Sequence, residues 1–215
     1  VSITNGTDAK VYEVVLSLKD KDNYTWGETS EDQTLQFVIN QAENEFTTEP
    51  SLSKVKWTYK EMVTVTNGES LFGEVVVKYY KGETELESMP TNAGDYKVVF
   101  SVAETTNYKP VTKEINFTID RIVVAVPKAK TFTYDGQVKQ SLDETNEYTV
   151  SITNGTDAKV YDVVLSLKDK DNYAWLDSNS EDQTLEFVIN QAENEFTTEP
   201  KLSSTKWTYK EMVTV

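Results

Sequence analysis

The chain has 215 residues, 36 acids against 21 bases, a net charge of −15, and neither Cys nor His. The missing Cys excludes a disulfide framework and a thiolate metal site, and the missing His removes the commonest general base and metal ligand. The acidic balance repels phosphate backbones, so no nucleic-acid partner is expected.

The chain contains one long stretch twice. Residues 1–65 run VSITNGTDAKVYEVVLSLKDKDNYTW through FVINQAENEFTTEP to KWTYKEMVTV, and residues 150–215 repeat them with few changes and one extra residue, Asn179. Self-similarity at a fixed period, here about 149 residues, sets the architecture before any other feature. A catalytic constellation has to be assembled once, whereas near-copies in series suit length, valency or stiffness. The chain starts inside a copy, so it is expected to be a piece of a longer array. Val1-Ser2-Ile3-Thr4-Asn5 does not read as a signal peptide.

The period divides again. Thr156-Asp-Ala-Lys-Val-Tyr161-Asp-Val163, the Asp171-Asn172-Tyr173 turn and Leu185-Glu-Phe187-Val-Ile189 match Thr91-Asn-Ala-Gly-Asp-Tyr96-Lys-Val98, Thr106-Asn107-Tyr108 and Ile115-Asn-Phe117-Thr-Ile119. Two related modules, A and B, therefore alternate. The expected divisions are the closing part of an A module at 1–43, a whole B at 44–120, a whole A at 121–193, and the opening of a second B at 194–215.

In chain order, the B strands are expected near Trp57–Tyr59, Met62–Val65, Glu74–Tyr79, Asp95–Val102 and Glu114–Ile119. Asn67-Gly68 and Lys81-Gly82 mark turns between them. In A, Ile122–Val126 is an apolar opening strand that Pro127 ends. Phe132 and Tyr134 alternate with Thr131 and Thr133, and Asp135-Gly136 supplies a turn. Tyr148–Thr153 alternates with period two, Asn154-Gly155 is expected to turn the chain back, and Val160–Leu167 follows as a longer strand. Thr184–Ile189 closes the module. No apolar pattern is sustained at helical spacing, and no apolar run approaches the roughly 20 residues of a membrane helix. Many short strands with frequent turns predict an all-β chain of small antiparallel sandwiches. The joins carry no flexible linker: Phe117-Thr-Ile119 runs through Asp120-Arg121 into Ile122, which predicts modules placed end to end.

Thr133-Tyr134-Asp135-Gly136, Asn92-Ala93-Gly94-Asp95-Tyr96-Lys97-Val98, and Asn172-Tyr173-Ala174-Trp175 with Thr184–Ile189 together resemble the bacterial immunoglobulin-like repeats of the MBG/YDG type. Such repeats are found in large surface proteins and adhesins. The motifs touch every module and mark a strand-turn frame rather than a chemistry. The resemblance implies an extracellular, stalk-like array of β-sandwiches, with no catalytic residue to carry over. Module B departs from it at Leu71-Phe72 and Lys78-Tyr79-Tyr80, where A has no clear counterpart.

The candidate sites follow from residue type. Trp26, Trp57, Trp175 and Trp207 could stack on sugars, but a small sandwich needs large side chains to close its core. Tyr79, Tyr80 and Tyr108 are the aromatics expected to face solvent and to contact a ligand. Asp20-Lys21-Asp22-Asn23 and Asp169-Lys170-Asp171-Asn172 open like a Ca²⁺ loop, but they lack its Gly and its later acid, so polar turns are expected. No pair of acids stands out as glycosidase-like. No enzyme, metal or cofactor is expected. Asn5, Asn23, Asn116 and Asn154 match the glycosylation sequon.

The leading expectation is a structural spacer whose partners are neighbouring repeats. The alternative is an adhesive module that gains avidity for a host or environmental glycan or protein by repetition. Since A and B share a frame, the opening half at 194–215 could also complete the closing half at 1–43 of another chain.

Overall fold

The structure, a computed structural model, describes residues 6–176 and 179–212. The reading of Val1–Asn5, and Asn5 of the first sequon, lie outside the described residues. All regular structure among them is β, distributed over several sheets, an arrangement consistent with β-sandwiches. The chain forms two compact units, Val1–Ile122 and Val123–Val215.

The first unit opens with β1 (Lys10–Leu16) and β2 (Gln33–Ile39), which pair antiparallel. Short strands follow: β3 (Phe46–Thr48), β4 (Ser51–Leu52), β5 (Lys56–Thr58), β6 (Val65–Thr66) and β7 (Glu69–Ser70). Then come β8 (Val76–Lys81), β9 (Thr84–Leu86), β10 (Gly94–Val102) and β11 (Val111–Asp120). The main sheet has the order β5-β11-β10-β8-β9, and β3-β7 and β4-β6 form two small ladders. β10 alternates with period two, so Tyr96, Val98, Phe100 and Val102 point to one face and are buried there. Tyr96, Val98 and Phe100 form one core with Trp57, Phe117 and Ile119, backed by Phe46, Leu52 and Tyr79. Each such side chain contributes about 1.5–3 kcal/mol relative to an exposed one. β8 turns into β9 through Gly82-Glu83, and Gly82 takes the positive φ of 59° that so tight a hairpin needs.

The second unit contains β12 (Ile122–Val124), within which the division falls, then β13 (Thr131–Thr133), β14 (Lys139–Gln140), β15 (Tyr148–Val150) and β16 (Asn154–Gly155). It ends with β17 (Val160–Leu167), β18 (Tyr173–Trp175) and β19 (Gln183–Asn190). The larger sheet has the order β13-β19-β17-β15, with β12-β18 and β14-β16 as separate ladders. Its core is Tyr148, Val150, Val163, Leu165, Leu167, Trp175, Phe187 and Ile189.

One frame is built three times. Tyr12 pairs with Phe37, Tyr96 with Phe117 and Tyr161 with Phe187, each across an antiparallel ladder. The ring centroids stand 4.9, 5.6 and 5.3 Å apart. In every case the Tyr hydroxyl donates to the carbonyl four residues upstream, at Asp8, Asn92 or Asp157. β5 lies parallel to β11, and β13 lies parallel to β19 in the same manner.

Two expected elements differ. Asn154-Gly155 does not turn the chain back but forms β16 against β14. The glycine is selected by the Tyr161 ring, which lies so close that a Cβ would meet its Cζ at 2.6 Å. The strand expected at Met62–Val65 begins only at Val65, because Lys60 adopts a positive φ of 71° and the chain turns there.

Candidate functional site

The first unit joins its two parts by a clasp. Residues 105–108 form a turn in which Thr105 N–H donates to the Tyr108 carbonyl and Tyr108 N–H donates to Thr105 Oγ1, both at 3.0 Å. This holds the Asn107 carboxamide outward. Its Oδ1 accepts the Ala9 N–H at 2.7 Å, and its Nδ2 donates to Asp8 Oδ1 at 3.2 Å. Ala42 bridges to Tyr108 in parallel fashion: Ala42 N–H donates to the Asn107 carbonyl at 2.8 Å, and Lys109 N–H donates to the Ala42 carbonyl at 3.0 Å. Gln41 Nε2 donates to Glu104 Oε1 and to the Thr105 carbonyl, at 2.7 and 2.8 Å. Lys109 and Glu43 add an ion pair at 2.5 Å. That pair is solvated and worth at most about 1 kcal/mol, so the directed amide bonds set the geometry.

A second set of contacts fixes the clasp from below. The buried Asn44 accepts from Phe72 N–H at 3.2 Å and donates to the Phe72 carbonyl at 2.7 Å. Phe72 in turn stacks on Tyr108, with centroids 3.7 Å apart and planes 20° from parallel. Phe72 is thus the floor on which the turn rests.

The expected ligand aromatics are distributed differently. Tyr108 is half-buried and stacked in the clasp. Tyr79 sits half-buried against the core, and burial raises its phenol above the usual range. Tyr80 is half-buried on the opposite face of β8, where its hydroxyl donates to Glu85 Oε2 at 3.3 Å and Lys97 lies over its ring. The structure does not bring these three together. Trp57 and Trp175 are core residues.

The Asp-Lys-Asp-Asn stretches are self-contained turns. Asp20 accepts from the Asn23 side chain at 2.8 Å and from the Asp22 and Asn23 amides, and these bonds, that of the Asn23 side chain first, hold its carboxyl below the usual range. Asp169 accepts from the Asn172 amide at 3.1 Å and from its side chain at 2.9 Å. Among the described residues no three acids gather in a way that could hold a metal ion.

A groove of about 540 Å³ lies beside Tyr59, Met62, Met89 and Pro90, above the buried edge of Trp57. Reading the sequence finds Trp57 and Tyr59 but not the groove, and it misses Asn107 as the centre of the clasp. Ala9 and Ala42 contribute only main-chain atoms, so no residue pattern marks them. The chain matches no family model, no curated protein and no solved structure.

Proposed function

We propose that this chain is a length of tandem immunoglobulin-like β-sandwich repeats, of the kind the MBG/YDG motifs suggest, serving as a non-catalytic spacer in an extracellular surface protein or adhesin. The observation that carries the reading is the clasp, in which one copy of the Tyr–Phe frame is held to the next by directed amide bonds. The Tyr hydroxyl bonded back to an upstream carbonyl supports the immunoglobulin-like assignment, since that corner recurs in such sandwiches. Each sandwich adds roughly one strand length, about 30 Å for nine residues at 3.3 Å each. Negative charge keeps neighbouring spacers apart.

Small-angle scattering on chains with increasing repeat number tests this. The longest dimension should grow in proportion to the number of repeats. Growth with the cube root of mass, as in a globule, would remove the spacer reading.

The groove beside Tyr59 and Met62 favours a second reading, an adhesive module for glycan or protein. Met62 is 94% exposed there, an unusual placement for a thioether without a partner. Binding on a glycan array that Tyr59→Ala abolishes would support it, and silence across the array would count against the glycan form.

A further inference from the structure

We propose that the recess beside Asp157, Ala158, Gln191 and Ala192 is a docking site for the Asn-Tyr turn of a following B-type module, a segment with the sequence of residues 104–109. The inference rests on the repeat reading above and supplies the partner and its chemistry.

Four of the five residues that line the recess recur in the first unit with the occupant in place; the fifth, Tyr134, has no copy in residues 1–43. There Asp8, Ala9, Gln41 and Ala42 hold Asn107 and its neighbours. Thr156-Asp157-Ala158-Lys159 repeats Thr7-Asp8-Ala9-Lys10 letter for letter, and Asn190-Gln191-Ala192-Glu193 repeats Asn40-Gln41-Ala42-Glu43. The frame beneath is also shared. Asp157 is fixed by the Tyr161 hydroxyl as Asp8 is by Tyr12, and Tyr161 packs on Phe187 as Tyr12 does on Phe37. The donors and acceptors therefore stand in equivalent positions. In the second unit the recess is open, about 530 Å³, with Gln191 and Ala192 exposed. No hydrogen bond joins Ala158, Gln191 or Ala192 to another described residue.

The chemistry of the recess selects its occupant. An alanine N–H and an aspartate carboxylate lie side by side, so the entering group must accept and donate at once. A carboxamide does both, whereas a carboxylate would meet Asp157 charge to charge. The A-type turn sets its Asn differently, holding the carboxamide back within the turn: Asn23 donates to Asp20 at 2.8 Å and Asn172 to Asp169 at 2.9 Å. In the B-type turn the position of that Asp is Glu104, which reaches instead to Gln41, and the Asn107 carboxamide is left to point outward. This difference selects a B-type turn to follow an A-type frame.

Amide hydrogen exchange reads the site directly. In the chain as it stands, Ala9 should exchange about tenfold or more slowly than Ala158, though both lie in the same local sequence. Asn107→Ala should remove that gap. Appending a copy of residues 66–120 after Val215 of the full chain supplies a B-type turn, and should slow Ala158 and Ala192 by about tenfold or more. Replacing the Asn of the appended turn with Ala should restore fast exchange at Ala158. The proposal is overturned if the appended strands are protected while Ala158 and Ala192 exchange as before. It is equally overturned if Asn107→Ala leaves Ala9 as slow as in the parent, a result that needs no appended module to fold. The spacer reading stands or falls separately, on scattering dimensions rather than on these amides.

Discussion

The Tyr161 hydroxyl donates to the Asp157 carbonyl at 3.0 Å and accepts from the Asp157 amide at 3.1 Å. Its ring lies over Gly155, with no room for a Cβ. Gly155→Ala should push the ring off its seat and lower stability by about 1–3 kcal/mol. Tyr161→Phe keeps the ring and loses only the hydroxyl bonds, which should remove about 1 kcal/mol. Urea unfolding of both variants checks the ranking. An alanine variant as stable as the parent would refute the close approach.

Trp175 is fully buried and donates its indole N–H to the Glu181 carbonyl at 2.8 Å, while its sequence copy Trp26 is 38% exposed. Trp175 lies in β18, which pairs with β12, whereas Trp26 forms an isolated bridge to Thr29. Trp175→Ala should lower stability by about 3–5 kcal/mol, and Trp26→Ala by under about 1 kcal/mol. Acrylamide should quench Trp26 emission readily and Trp175 poorly. Equal quenching of the two would contradict their different burial.

Phe72 and Tyr108 should behave as a coupled pair. A double-mutant cycle between Phe72→Ala and Tyr108→Ala should give a coupling of about 0.5–1.5 kcal/mol. Tyr80→Ala, on the opposite face of β8 from the core, should couple to neither.

Five carboxyls are held below their usual range. The largest cause is the Asn23 side chain for Asp20, Lys21 for Asp32, the Thr58 amide for Glu61, Lys139 for Asp135 and Lys170 for Asp182. A depressed folded pKa contributes stability that is present above the unfolded value and is lost as pH falls through the folded one. Tm should therefore drop below about pH 4, less steeply at high salt. No His is present to titrate between pH 5 and 8. A midpoint of stability loss near pH 6.5 would contradict this assignment.

The strands were legible wherever alternation alone decided them. Val160–Leu167 is read correctly because Tyr161, Val163, Leu165 and Leu167 share a face, which the ladder to β19 then buries. The reading fails where partners decide. Residues 46–58 form β3, β4 and β5, yet the near-identical residues 196–208 form no strand. The first set finds β7, β6 and β11, which come from later in the chain. What persists in both is local: Lys60 and Lys210 have φ of 71° and 77°, with the Glu61 and Glu211 backbone N–H groups donating to the Thr58 and Thr208 carbonyls at 2.9 Å. Burial follows the same logic, since Phe187 is 1% exposed and its copy Phe37 is 38% exposed. The clasp was illegible because it is built from the amides of Ala9 and Ala42, which carry no side-chain signature.

The parallel pairing of β5 with β11, and of β13 with β19, has a mechanical consequence. Tension that reaches these pairs drags β5 against β11, or β13 against β19, in opposite directions along their length. The bonds between Lys56–Thr58 and Thr118–Asp120 are then loaded together in shear rather than peeled one at a time. Rupture has to break the whole ladder at once, so a sheet of this construction resists sudden tension better than its modest number of bonds suggests.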